Sequence, residues 1–117
     1  MSGHAPRPGS LSISSVSTNG TVSISLEGEL DLASARKMEE RLQAVDGEGP
    51  SRVIVDLGKL AFIDSTGLRI LLLADARARD RGYELVLRPG EPSVQRVFEV
   101  TGALDVLHFE GSTGPTS

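Results

Sequence analysis

V-I-V-D-L-G-K-L-A-F-I-D-S-T-G-L-R-I-L-L-L, running from Val53 to Leu73, is the stretch around which the rest of the chain organises. Val53 to Asp56 has the length and β-branched character of a buried strand. Ala61-Phe62-Ile63 makes a second short apolar step. Asp64-Ser65-Thr66-Gly67 follows, and beyond it the composition turns strongly helical. Ser65 and Thr66 therefore stand at the first turn of a helix, directly after a buried segment. The first N–H groups of a helix have no partner within it and favour nearby negative charge. A hydroxyl at such a place caps the helix, accepts a phosphate, or does both at different times.

Upstream, Leu11, Ile13 and Val16 begin a first strand, and Asn19-Gly20 is a hairpin signal. Val22, Ile24 and Leu26 alternate with Ser23, Ser25 and Glu27, the pattern of a half-buried strand. Gly28-Glu29-Leu30-Asp31 is expected to turn the chain into a helix carrying Ala35, Met38, Leu42 and Val45 on one side. Gly47 and Gly49-Pro50 stop it. Downstream, the second helix spans Ser65 to Arg81 and ends at Gly82. Glu84–Leu87 reads as a strand, and Pro92 opens a third helix with Val94, Val97, Phe98 and Thr101 on one face, ending at Gly102. Leu104, Val106, Leu107 and Phe109 fit either a last strand or a helical turn.

Strands that alternate with helices imply parallel crossovers in one sheet, while the Asn19-Gly20 turn makes the first pair antiparallel. The expected fold is a single α/β domain. Its mixed β-sheet, an antiparallel N-terminal hairpin followed by alternating strands and helices, packs against the helices. The domain is expected over residues 11–109. The segments 1–10 and 110–117, rich in Gly, Pro and Ser, are expected to be disordered tails.

Composition removes several function classes. A chain of 117 residues with a net charge of −4, three Phe and one Tyr lacks the basic, aromatic-studded surface of a nucleic-acid binder, so no direct nucleic-acid partner is expected. There is no cysteine, hence no disulfide or thiolate metal site. His4 and His108 have no metal-ligand company, and neither a metal nor a cofactor is expected. No apolar run approaches the roughly 18 residues of a membrane span. The N-terminus lacks the hydrophobic core of a signal peptide. The expected location is the cytoplasm, without a membrane partner. Gly58-Lys59 lacks the glycine-rich lead of a phosphate-binding loop. Ser65 sits in no Gly-x-Ser-x-Gly elbow and has no histidine base, so a catalytic role is not expected.

Three landmarks in order and spacing carry a family resemblance. Gly28-Glu29-Leu30-Asp31, Asp64-Ser65-Thr66-Gly67-Leu68 and the stretch Arg96 to Gly102 resemble the STAS domains of bacterial anti-sigma factor antagonists, across nearly all of Leu11 to Phe109. The resemblance implies a partner switch in sigma-factor and stress-response regulation. The unphosphorylated protein would bind an anti-sigma factor that is also a serine kinase, releasing the sigma factor. The kinase would phosphorylate Ser65, with Thr66 secondary, and a serine phosphatase of the metal-dependent type would restore binding. Asp31 and Asp64 match the acidic positions flanking the acceptor, although capping of the first helix is an equal account of Asp31. Arg69 stands where many members have a small residue. The alternative use of the same fold is as a STAS subunit of another assembly, a signalling scaffold or a lipid- or anion-transport complex.

Helical geometry divides the second helix. At about 100° per residue, Gly67, Ile70, Leu71, Ala74 and Ala78 share the face expected on the sheet. Ser65, Arg69, Leu72 and Ala76 lie opposite, flanked by Leu68 and Leu73. Those leucines are either covered by another element or form a docking surface beside the acceptor. The candidate switch and partner-binding set is thus Asp31, Asp64, Thr66, Gly67, Leu68, Arg69 and Leu72.

Overall fold

The structure, a computed structural model, describes residues 10–111; the expected tails at 1–9 and 112–117 lie outside the described residues. In chain order it contains β1 (Leu11–Thr18), β2 (Thr21–Leu30), α1 (Ala35–Gly47), β3 (Arg52–Ile63), α2 (Ser65–Arg81), β4 (Glu84–Arg88) and α3 (Pro92–Thr101), then a 3-10 turn at Ala103–Asp105. The sheet order is β1-β2-β3-β4. β1 and β2 are antiparallel, and β2–β3 and β3–β4 are parallel, the expected mixed sheet. Asn19 at φ 52° and Gly20 at φ 82° supply the two left-handed residues of the tight hairpin turn.

Both parallel crossovers step the same way, from β2 to β3 to β4. Right-handed connections that progress in one direction place their helices on one face of the sheet. The packing follows: Met38 and Val45 of α1, Leu71 and Ala78 of α2, and Val94 and Phe98 of α3 join Ile24, Val53, Val55, Leu85 and Leu87 in a single core. Ile54 and Val86 are also buried but lie outside that core, as strand alternation requires of residues pointing to the opposite face. Phe98 meets Phe109 edge-on at 5.1 Å between ring centroids. The first two helices are tied together at their far ends, where the Tyr83 hydroxyl donates to Asp46 at 3.0 Å and Arg81 pairs with Asp46 at 3.4 Å.

Three expectations change. The strand expected to stop at Asp56 continues to Ile63, so Ala61-Phe62-Ile63 is its end and not a separate step. Its pairing with β2 shifts register between Ser25 and Glu27 and again between Gly28 and Glu29, each time with one extra residue on β3. Two bulges change the phase of burial from every second residue to Leu57, Leu60 and Ile63, which hides the strand from any test for alternation. Gly28 to Leu30, expected to turn, remain in β2, and the turn falls at Asp31–Ser34. The final segment holds both alternatives, a 3-10 turn and then a parallel bridge from Phe109 to Leu87. Ser10 and Glu110, assigned from sequence to the tails, are held by the fold. Ser10 O accepts from Glu29 N at 2.8 Å, and Glu110 pairs with Arg88 at 2.6 Å.

β4 pairs with β3 only over Arg52–Asp56, so the bulged half of β3 projects past it with β2 as its partner strand. The carboxyl ends of β2 and β3 meet on this projection, and the candidate site is built there.

Candidate functional site

Asp64 organises the site. Its backbone is extended (φ −109°, ψ −174°) and it is the N-cap of α2. One carboxylate oxygen, Oδ1, accepts from Gly67 N at 3.0 Å, and the other, Oδ2, accepts from Leu32 N at 3.2 Å. Asp64 N donates to Leu30 O at 3.2 Å. One side chain thus caps a helix and pins the β2–α1 turn against it. The alternative in which the Ser65 or Thr66 hydroxyl caps the helix is replaced by this arrangement, because aspartate at the preceding position already fills the role.

Ser65 is the first helical residue and is exposed, and its hydroxyl makes no hydrogen bond among the described residues. Thr66 is half-buried beside it. Gly67 is buried, and a methyl group at its Cα would stand 2.5 Å from Leu30 O and 2.8 Å from Leu30 Cγ. Only glycine lets the first turn of α2 approach the end of β2 this closely.

Asp31 is buried and closes the turn before α1. Its Oδ1 accepts from Ser34 N at 3.0 Å, while Asp31 N donates to Ser34 Oγ at 3.0 Å. Ser34 Oγ in turn donates to Glu29 O at 2.8 Å. This reciprocal pair, a side chain to a main-chain amide in each direction, is the logic of a capping box. Asp31 does not cap α1, whose N-cap is Ser34; its carboxylate makes a local hydrogen bond within the preceding turn, and that turn carries Leu32 N to Asp64.

Asp31, Asp64, Ser65, Thr66 and Gly67 therefore come together at one place, with Arg69 exposed one turn along α2. Leu68 and Leu72 behave differently from the helical-wheel expectation. Leu68 is 7% exposed and belongs to the core, and Leu72 is half-buried and packed against it. The buried arc of α2 is wider than expected because it also takes in Asp75, 2% exposed and paired with Arg79 at 3.3 Å. The leucine left in solvent is Leu73, 56% exposed.

Sequence reasoning missed three residues here. Leu32 is 74% exposed and Phe62 is 49% exposed, apolar groups on the two segments that adjoin Asp64. Ser34 completes the turn. A leucine beside Asp31 in an otherwise polar turn, and a serine three residues after that aspartate, were the available signals. Among the described residues there is no group of three His, Cys, Asp or Glu that would hold a metal, and no helix is long and apolar enough to cross a membrane.

The exposed Ser65 hydroxyl thus stands at a capped helix start, at the ends of two parallel strands of a one-sided mixed sheet. Residues 13–108 match the family described as "Mlab, STAS domain", and the chain belongs to the STAS domain family. It is 39% identical over 94 residues to BtrV of Bordetella bronchiseptica, covering 80% of this chain and 81% of that protein. It is 31% identical over 93 residues to the anti-sigma-B factor antagonist of Listeria monocytogenes, covering 80% and 82%. The fold matches the crystal structure of an anti-sigma factor antagonist from Mycobacterium paratuberculosis with a TM-score of 0.78 at 24% identity, over 93% of this chain and 92% of that one.

Proposed function

We propose that this protein is an anti-sigma factor antagonist whose unphosphorylated form binds a serine-kinase anti-sigma factor and frees the sigma factor. Phosphorylation of Ser65 by that kinase ends the complex, and a serine phosphatase of the metal-dependent type resets it. The observation that carries the proposal is the division of labour between Asp64 and Ser65. Asp64 caps α2, so the Ser65 hydroxyl is exposed and free for transfer. The naming of the Listeria relative as an anti-sigma-B factor antagonist supports the same assignment.

The switch needs no refolding. A phosphate on Ser65 stands outside the cap, adjoining first-turn N–H groups that favour an anion. It adds about −1.5 to −2 charges at neutral pH. The change falls beside exposed Arg69 and the turn that carries exposed Leu32, where a partner matched to a neutral hydroxyl and apolar neighbours would meet a dianion. Thr66, half-buried, is the poorer acceptor. Leu68 and Gly67 serve by setting the position of the helix start, and Leu72 by backing the face on which Leu73 stands.

Incubation with the cognate anti-sigma kinase and ATP is expected to add one phosphate, located at Ser65 by peptide mass spectrometry. Phosphate on Thr66, Ser93 or the terminal segments in place of Ser65 would sink the assignment.

A further inference from the structure

Arg69 follows Ser65 by four residues on the exposed side of α2 and takes part in no ion pair among the described residues. Residues three and four apart on a helix are surface neighbours. For Arg69 these are Ser65, Thr66, Leu72 and Leu73, none of them acidic. The same helix closes an ion pair of this spacing and polarity elsewhere: Asp75 and Arg79, acid first and four apart, meet at 3.3 Å although Arg79 is otherwise exposed. Ser65 and Arg69 repeat that geometry with a hydroxyl in place of the acid. The acidic residues of the adjoining segments are Asp64 before α2 and Asp31 in the β2–α1 turn, each with a carboxylate oxygen accepting from a main-chain amide.

We infer that Arg69 is the counter-ion of a phosphate on Ser65, closing an intrahelical ion pair that exists only in the modified protein. The inference rests on Ser65 being the acceptor. Guanidinium presents paired donors that match two phosphate oxygens, which an ammonium does not. Pairing offsets the repulsion from Asp31 and Asp64 that a dianion would otherwise meet. It also draws the Arg69 head off the docking face. The partner therefore loses a cationic donor in the same event that presents it with an anion, and one modification alters the surface at two positions a helical turn apart.

Phosphoserine placed at position 65 during translation makes the test independent of any kinase. Its monoanion-to-dianion titration, followed by 31P NMR, is expected to have a midpoint lower by about 0.3 pH unit or more with Arg69 present than in Arg69→Gln, the size of an exposed helical ion pair. Arg69→Lys should fall between them, and Arg96→Gln, the loss of an exposed arginine on α3, should leave the midpoint unmoved. The gap between native and Arg69→Gln proteins should close at 1 M salt, where the screening length is about 3 Å. As a second measurement, the side-chain carboxyl of Ser65→Asp should titrate lower with Arg69 than with Arg69→Gln. Equal midpoints in both comparisons would overturn the pairing while leaving Ser65 as the acceptor. A kinase reaction that spares Ser65 would instead overturn the proposed function.

Discussion

Asp64 and Ser65 are adjacent, both polar and both at a helix start, yet they are expected to respond oppositely to removal. Asp64→Ala loses the cap on Gly67 N and the tie to Leu32 N together. A lost cap costs about 0.5–2 kcal/mol, and a second amide left without its carboxylate adds about 1 kcal/mol. Ser65→Ala removes an exposed hydroxyl with no bond to lose, so its effect on stability should lie within about 0.5 kcal/mol. Urea melts of the two variants read this difference, and equal losses would mean that Ser65 holds the helix start as much as Asp64 does. In partner titrations Ser65→Ala should bind and resist switching, whereas Ser65→Asp should lose about 1 kcal/mol or more of affinity, since desolvating an anion in an interface matched to a neutral hydroxyl is costly even beside Arg69.

Helix α2 carries the site on one side and the core on the other, and its three consecutive leucines sample the gradient between them. Leu71 is fully buried, Leu72 is half-buried against the core, and Leu73 is 56% exposed. Leu71→Ala should destabilise by about 2–5 kcal/mol through the cavity it leaves. Leu73→Ala should cost well under about 1 kcal/mol in folding but weaken partner binding, since an apolar anchor near an interface centre is often worth about 1–2 kcal/mol. Leu72→Ala is expected between the two in stability. Denaturant melts beside binding titrations separate these roles. An undiminished affinity for Leu73→Ala would place the partner on another face. The sequence pattern showed that this helix is amphipathic, but not how far its buried arc extends. Hydropathy alone assigns Leu68, Leu72 and Leu73 equal weight and excludes Asp75. In the fold both Leu68 and Asp75 are buried.

Across the molecule, the lock between α1 and the end of α2 carries a group that titrates in alkali. Burial, reinforced by the hydrogen bond to Asp46, pushes the Tyr83 phenol up to about 12 from the ordinary 10.0. The folded state holds this proton more tightly than the unfolded chain. The corresponding stability is therefore fully present below about pH 10 and is lost as pH rises through about 12. A pH series of urea midpoints should fall across that window in the native protein and fall less in Tyr83→Phe. The same variant should lose about 0.5–1.5 kcal/mol at neutral pH with the hydrogen bond. Equal alkaline slopes in the two proteins would assign the effect to other groups.

Much of this architecture is written locally. Asn19-Gly20 specifies its turn because few residues take two successive left-handed conformations. The helix limits at Gly82 and Gly102, both left-handed at φ 86° and 81°, follow from the same preference. The element order, the mixed sheet and the position of Ser65 at a helix start are all consequences of short-range pattern. The continuation of β3 to Ile63 was not legible, because its bulges arise from pairing with a strand some thirty residues away. Nor was the capping of α2 by Asp64. Aspartate, serine and threonine are all good caps, and only the arrival of Leu32 N at the second carboxylate oxygen selects among them. Local chemistry determined which residues were eligible for the site. Long-range packing decided which of them are occupied with holding the fold, and so which one, Ser65, is left exposed and unbonded.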